Sequence, residues 1–145
     1  MARETDHILI VDDSPDDASL LKQGLEDADV ENPLVFTSGY DETLDYLRGW
    51  GKYADRAEYP PPLIAFLDIN MPGKSGFDLL TWIRENEESK RLVVIMMSGS
   101  SSADDIARSY RLGANSYLLK PKNHGDLIKS LKHFRAYWLE LNHYA

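Results

Sequence analysis

The residues of this 145-residue chain that could do chemistry each stand where an apolar run stops. Asp12 and Asp13 close HILIV, Asp68 closes LIAFL, Ser98-Gly99 close LVVIMM, and Lys120-Pro121 close SYLL. If those runs are parallel strands of one sheet, all four ends lie on one rim, where open α/β sheets carry their sites. Three carboxylates gathered there repel one another, and at neutral pH they hold a proton or a cation. The donors are all oxygens: the chain has no cysteine, and His7, His124, His133 and His143 show no ligand spacing. That chemistry selects a hard divalent ion, Mg2+ above all and Mn2+ as the alternative. A lysine and a hydroxyl opposite the acids would hold the oxygens of an incoming phosphoryl group. In that arrangement Asp68 is the natural nucleophile and its product an acyl phosphate.

Elements of ordinary kind suffice to position these groups. Each apolar run is short and rich in β-branched residues, as strands buried on both faces are. Between them lie helical stretches. Ser14-Pro15-Asp16-Asp17 reads as a helix start, with a cap, a proline in the first turn and two acids at the positive end of the dipole. Ala18, Leu21, Leu25 and Ala28 give that helix one apolar stripe. Further helices are expected over Asp41–Leu47, Phe77–Asn86 and Ala103–Leu112, the last stopped by Gly113 in a left-handed cap. A closing helix over Asp126–Leu141 should bury Leu127, Ile128, Leu131, Phe134, Trp138 and Leu141. Leu34–Thr37 supplies a second strand. Strand and helix alternate five times, which implies an α/β, doubly wound (βα)5 flavodoxin-like sandwich: a five-stranded parallel sheet with helices on both faces. Gly49 to Pro62, with three consecutive prolines, reads as a connection in which Trp50 and Tyr53 lid the local core.

Composition narrows the class. Residues 1–145 are expected to form one domain, its core about 7–141, with no output domain. A net charge of −8 opposes direct nucleic-acid binding. No run is long enough to span a membrane and MARETDH is too polar for a secretory signal, so a cytoplasmic protein is expected.

ILIVDDS, FLDINMPGKSG, VIMMSGS and YLLKP, in this order and spacing, resemble the response-regulator receiver domain of two-component signalling. The resemblance covers roughly residues 7 to 141. It implies that Asp68 is the phospho-acceptor, that Asp12 and Asp13 bind Mg2+ with Asp68, and that the backbone carbonyl of Asn70 completes the metal shell. It makes Ser98 the switch hydroxyl, Tyr117 the switch aromatic and Lys120 the partner of the phosphoryl group, with a cis peptide expected at Lys120-Pro121. Asn70 and Ser100 fall where the family tunes the lifetime of the phosphoryl group. YLRGWGKYADR before PPPLIAFLDINMP, SYRLGANSYLLKP and FRAYWLEL look like the single-domain receivers that partner bacterial phytochrome kinases. The implied partner is a sensor histidine kinase, a bacteriophytochrome among the candidates, or a histidine phosphotransfer protein. A homodimer through the face of the fourth helix, fifth strand and fifth helix is a further expectation. On this reading the chain is no turnover enzyme; it performs only its own phosphotransfer and autodephosphorylation.

Two other classes compete. A phosphatase of haloacid-dehalogenase type also forms an aspartyl phosphate, and Asp68-Ile69-Asn70 is near its DxD pattern. Its nucleophile, however, sits on the first strand, and position 70 here is an amide, which leaves no general acid. A non-phosphorylated interaction module would not require the complete set of site residues.

Overall fold

The computed structural model describes residues 1–145. Its strands are β1 (Ile8–Val11), β2 (Leu34–Thr37), β3 (Ile64–Asp68), β4 (Val93–Ser98) and β5 (Ser116–Leu119), all parallel in the order β2-β1-β3-β4-β5. Its helices are α1 (Pro15–Asp27), α2 (Tyr40–Arg48), α3 (Gly76–Glu85), α4 (Ala103–Arg111) and α5 (His124–Phe134). This is the five-stranded doubly wound sandwich that the alternation of runs implies.

Side-chain alternation along the strands divides the core in two. Ile8, Ile10, Ile64, Phe66, Val93, Ile95 and Met97 pack with Leu21 and Leu25 of α1 and Leu131 and Phe134 of α5. Leu9, Val11, Ala65, Leu67, Val94 and Met96 pack with α2 and α3 on the opposite face. α4 is set apart, because among its residues only Ser109 is buried. α1 and α5 approach closely at Gly24, where an added Cβ would lie 2.8 Å from Leu127 and 2.9 Å from Leu131.

Local signals behave as their chemistry dictates. Ser14 caps α1 by accepting the Asp17 N–H, with Pro15 in the first turn. Ser75 and Asp78 form a reciprocal capping box on α3. Gly113, at φ +102°, follows α4 in the left-handed region that excludes most side chains.

Three expectations are corrected. The Lys120-Pro121 peptide is trans, as every peptide bond in the chain is; trans is the lower-energy form even before proline. Leu141 is exposed and Leu139 buried in its place, because from Arg135 the closing helix widens to a π-helical turn through Leu141 and the apolar stripe changes period. In the connection after α2, Tyr53 is buried against Tyr46 and Tyr59, but Trp50 is exposed and takes the Arg48 guanidinium 4.4 Å above its ring.

Candidate functional site at the carboxyl rim of the sheet

The register explains how the acids meet. Val11 of β1 lies beside Leu67 of β3, so Asp12 and Asp68, each one residue farther on, leave the rim side by side. β1 and β3 are also where the winding of the sheet reverses, the crevice in which such folds bind ligands. Ser98 of β4 pairs with Leu119, and the Lys120 N–H donates to the Ser98 carbonyl at 2.8 Å. Asp12, Asp68 and Lys120 share the alternation of Ile10, Phe66 and Leu118, which places all three toward the α1/α5 side.

Asp12, Asp13 and Asp68 each offer a carboxylate oxygen within 4.8 Å of the others. Asp13 is exposed, whereas Asp68 keeps only 10% of its side chain accessible. One oxygen of Asp12 accepts the Ser14 N–H at 2.9 Å, which fixes the carboxylate. Three close carboxylates with no soft donor among them fit a hard divalent cation. Asn70 is exposed, two residues beyond Asp68, in the loop that leads to α3. That loop is drawn tight by the Gly76 N–H, which donates to the Ile69 carbonyl at 2.9 Å. A Cβ at Gly76 would lie 2.3 Å from the Asp68 carbonyl oxygen, so only glycine lets α3 start here.

Lys120 reaches over the acids. Its ammonium lies 3.6 Å from Asp68 Oδ1, 3.4 Å from Asp12 Oδ2 and 3.2 Å from Asp17 Oδ2. Burial and the Asp12 charge push the Asp68 carboxyl above the ordinary carboxylate range, against the opposing pull of Lys120 and a backbone hydrogen bond at Asn70. Burial disfavours the charged form of Lys120, but Asp68, Asp12 and Asp17 outweigh it and hold the ammonium above its usual value. The site therefore keeps a protonated lysine beside a carboxylate that is expensive to ionise.

Ser98 is completely buried at the end of β4. Its Oγ accepts the Ser100 N–H at 3.1 Å. The Tyr117 hydroxyl donates to the Ser100 carbonyl at 2.8 Å, and the Ser100 hydroxyl donates to Asp105 in the first turn of α4, also at 2.8 Å. Ser100 thus joins the Ser98 hydroxyl, the Tyr117 ring and α4.

The structure brings Asp12, Asp13, Asp68 and Lys120 to one point and places Ser98, Ser100 and Tyr117 in an adjoining hydrogen-bonded set. None of the four histidines lies in it; His124 pairs instead with Asp27, 2.7 Å away. Sequence reasoning passed over Asp17, reading it only as an acid at a helix start. Its position in the first turn after β1, over the face that Lys120 shares, was the available signal.

Comparison with known proteins bears on the family and the fold. A family model described as the response regulator receiver domain matches residues 8–132. The response regulator Rcp1 of Synechocystis is 32% identical over 133 residues, covering 92% of this chain and 88% of that one. A crystal structure of Rcp1 in a Mn2+-bound form superimposes with a TM-score of 0.83 at 31% identity, covering 97% of this chain and 99% of that one. A response regulator in red light signaling of R. palustris superimposes with a TM-score of 0.90 at 33% identity, covering 95% and 96% of the two chains. The phosphorylated cyanobacterial phytochrome response regulator RcpA gives 0.86 at 31% identity, covering 96% and 97%.

Proposed function

The chain belongs to the response regulator receiver domain family, and from that premise we propose that it is a phosphorylation-operated signalling switch whose acceptor is Asp68. A phosphohistidine of a sensor histidine kinase donates the group. An Asp68 carboxylate oxygen forms the new bond to phosphorus, the P–N bond breaks, and the imidazole leaves with the bonding pair and takes up a proton. The observation that carries this reading is the meeting of Asp68 with Asp12, Asp13 and the Lys120 ammonium at one point of the rim. Asp12, Asp13, Asp68 and the Asn70 carbonyl would hold Mg2+ or Mn2+. The ion would offset the negative charge that gathers when a phosphoryl group meets a carboxylate.

Phosphorylation adds charge and acceptor oxygens at the rim. The Ser98 hydroxyl, one residue beyond the Met97 that pairs with Asp68, would answer it as donor, and moving it breaks its bond to the Ser100 N–H. Tyr117 and α4, both tied to Ser100, then re-pack. α4 is suited to move because it buries so little. The face that changes carries exposed Tyr110, Leu119 and Tyr137, and it is the surface through which a partner or a second copy would read the state. Likeness to receivers of red-light and phytochrome signalling supports a bacteriophytochrome as the donor kinase.

The test is incubation with Mg2+ and acetyl phosphate followed by intact-mass measurement. The wild-type chain is expected to gain one phosphoryl group, and Asp68→Asn none. No gain in the wild type, or equal gain in both, defeats the proposal. Continuous phosphate release from small monoesters would restore the phosphatase reading.

A further inference from the structure

Lys120 divides its ammonium among three carboxylates, and Asp68 is not the nearest. Asp17 at 3.2 Å and Asp12 at 3.4 Å accept hydrogen bonds, and Asp68 lies at 3.6 Å. Asp12 is one of the three clustered acids, with its other oxygen held by the Ser14 N–H. Asp17 lies outside that cluster. Its backbone N–H is held by the Ser14 hydroxyl, so one turn of chain fixes Asp12, Ser14 and Asp17 relative to one another. Asp17 and Lys120 together line a small opening between α1 and the β5–α5 loop, with Leu20, Pro121 and Leu127. The Asp17 side chain is 46% exposed, far more than Asp12 at 7%. Water can therefore replace Lys120 at Asp17 at little cost, whereas Asp12 has no such exchange open to it.

We propose that Asp17 is a positioning residue for Lys120: it holds the ammonium on the α1 side of the rim in the resting site and surrenders it when Asp68 carries a phosphoryl group. The inference rests on the receiver reading and deepens it. Asp17 competes with the phosphoryl oxygens for one cation. It is the competitor that can lose, because its carboxylate can turn to water. Lys120 engagement then carries a threshold set by a residue that touches neither the phosphoryl group nor the metal site.

Beryllofluoride with Mg2+, a phosphoryl mimic, titrated into the full chain tests this, with binding followed by backbone NMR and the Lys120 ammonium followed by its own 15N signal. Asp17→Asn is expected to tighten mimic binding about two- to fivefold, the range an exposed ion pair supports. It should also shift the Lys120 ammonium signal before any mimic is added, while Asp17→Glu stays near wild type in both readouts. In a Lys120→Gln background, Asp17→Asn should change mimic affinity by less than measurement error. Equal tightening with and without Lys120 would overturn the proposal, since Asp17 would then act only as a general negative charge. So would unchanged affinity and an unshifted ammonium signal in Asp17→Asn when the wild type binds the mimic. A wild-type chain that binds no mimic overturns the receiver reading and this inference with it.

Discussion

Replacing Asp68 with asparagine should make the metal-free protein more stable. The substitution keeps shape and removes one charge from a site that holds too many of one sign. With the three carboxylates within 4.8 Å and an effective permittivity of about 20, repulsion between Asp68 and Asp12 is worth at least roughly 3.5 kcal/mol, and the Asp13 share is smaller because that side chain is exposed and screened. Attraction to Lys120 at 3.6 Å returns roughly 4.6 kcal/mol on the same scale. The two nearly cancel, which leaves the burial of the charged Asp68 to decide the sign, and it is unfavourable. Lys120 is not orphaned by the change, because Asp12 and Asp17 keep it paired. Asp68→Asn should therefore gain about 1–2 kcal/mol at pH 7.5 in EDTA, read as a higher urea midpoint at unchanged slope. The pH dependence has a definite sign. The folded-state value of Asp68 is raised, so its contribution to stability is full below the ordinary value of 3.8 and is lost as pH rises through the raised one. The advantage of asparagine should accordingly be present at neutral pH and shrink as pH falls toward that range. Mg2+ should narrow the gap from the other side, stabilising the wild type by about 1.4 kcal/mol at ten times its dissociation constant and the variant by less. A variant less stable than wild type in EDTA at pH 7.5 would refute the electrostatic account of the site.

Gly76→Ala should cost roughly 2–3 kcal/mol and depress Asp68 phosphorylation together with stability, since the new Cβ meets rigid backbone at Asp68 and Ile69; urea unfolding and intact-mass labelling check both. Arg84→Met should cost about 3 kcal/mol while sparing beryllofluoride binding, because the guanidinium ties the Lys90, Leu92 and Gly113 carbonyls and the Asn115 side chain at the end of the sheet opposite the site.

The strands and the site were legible because their signals are short-ranged and redundant. Four of the five apolar runs end in a candidate site residue, and the parallel register brings those separated run-ends to one rim. What the sequence reading missed depends on backbone path rather than on pattern. The π-helical turn from Arg135 shifts which leucine faces inward, and no periodicity calculated for an α-helix reports it. Arg84 belongs to no motif, and it folds back on carbonyls whose positions are set by two other loops. Asp17 has an ordinary role at a helix start, and its second role appears only once β5 is laid beside β4 and Lys120 is brought across. Trp50 escapes the core because Tyr46, Tyr53 and Tyr59 already fill the space under the connection.

The contact between Lys120 and Asp12 also has a bearing on how the chain is made. Those two residues lie 108 positions apart. A growing polypeptide that has released β1 and β3 from the ribosome carries all three acids of the cluster, while the lysine that balances them is still to be synthesised. β5 joins the sheet only along β4, so the counter-charge is delivered by one of the longest loop closures in the molecule. Until that strand docks, the acidic end of β1 and β3 is held together by hydrophobic pairing against its own repulsion. Free Mg2+ can screen that repulsion during the interval. The ion proposed for the finished site would then also serve its assembly, and refolding should be faster in its presence than in a chelator.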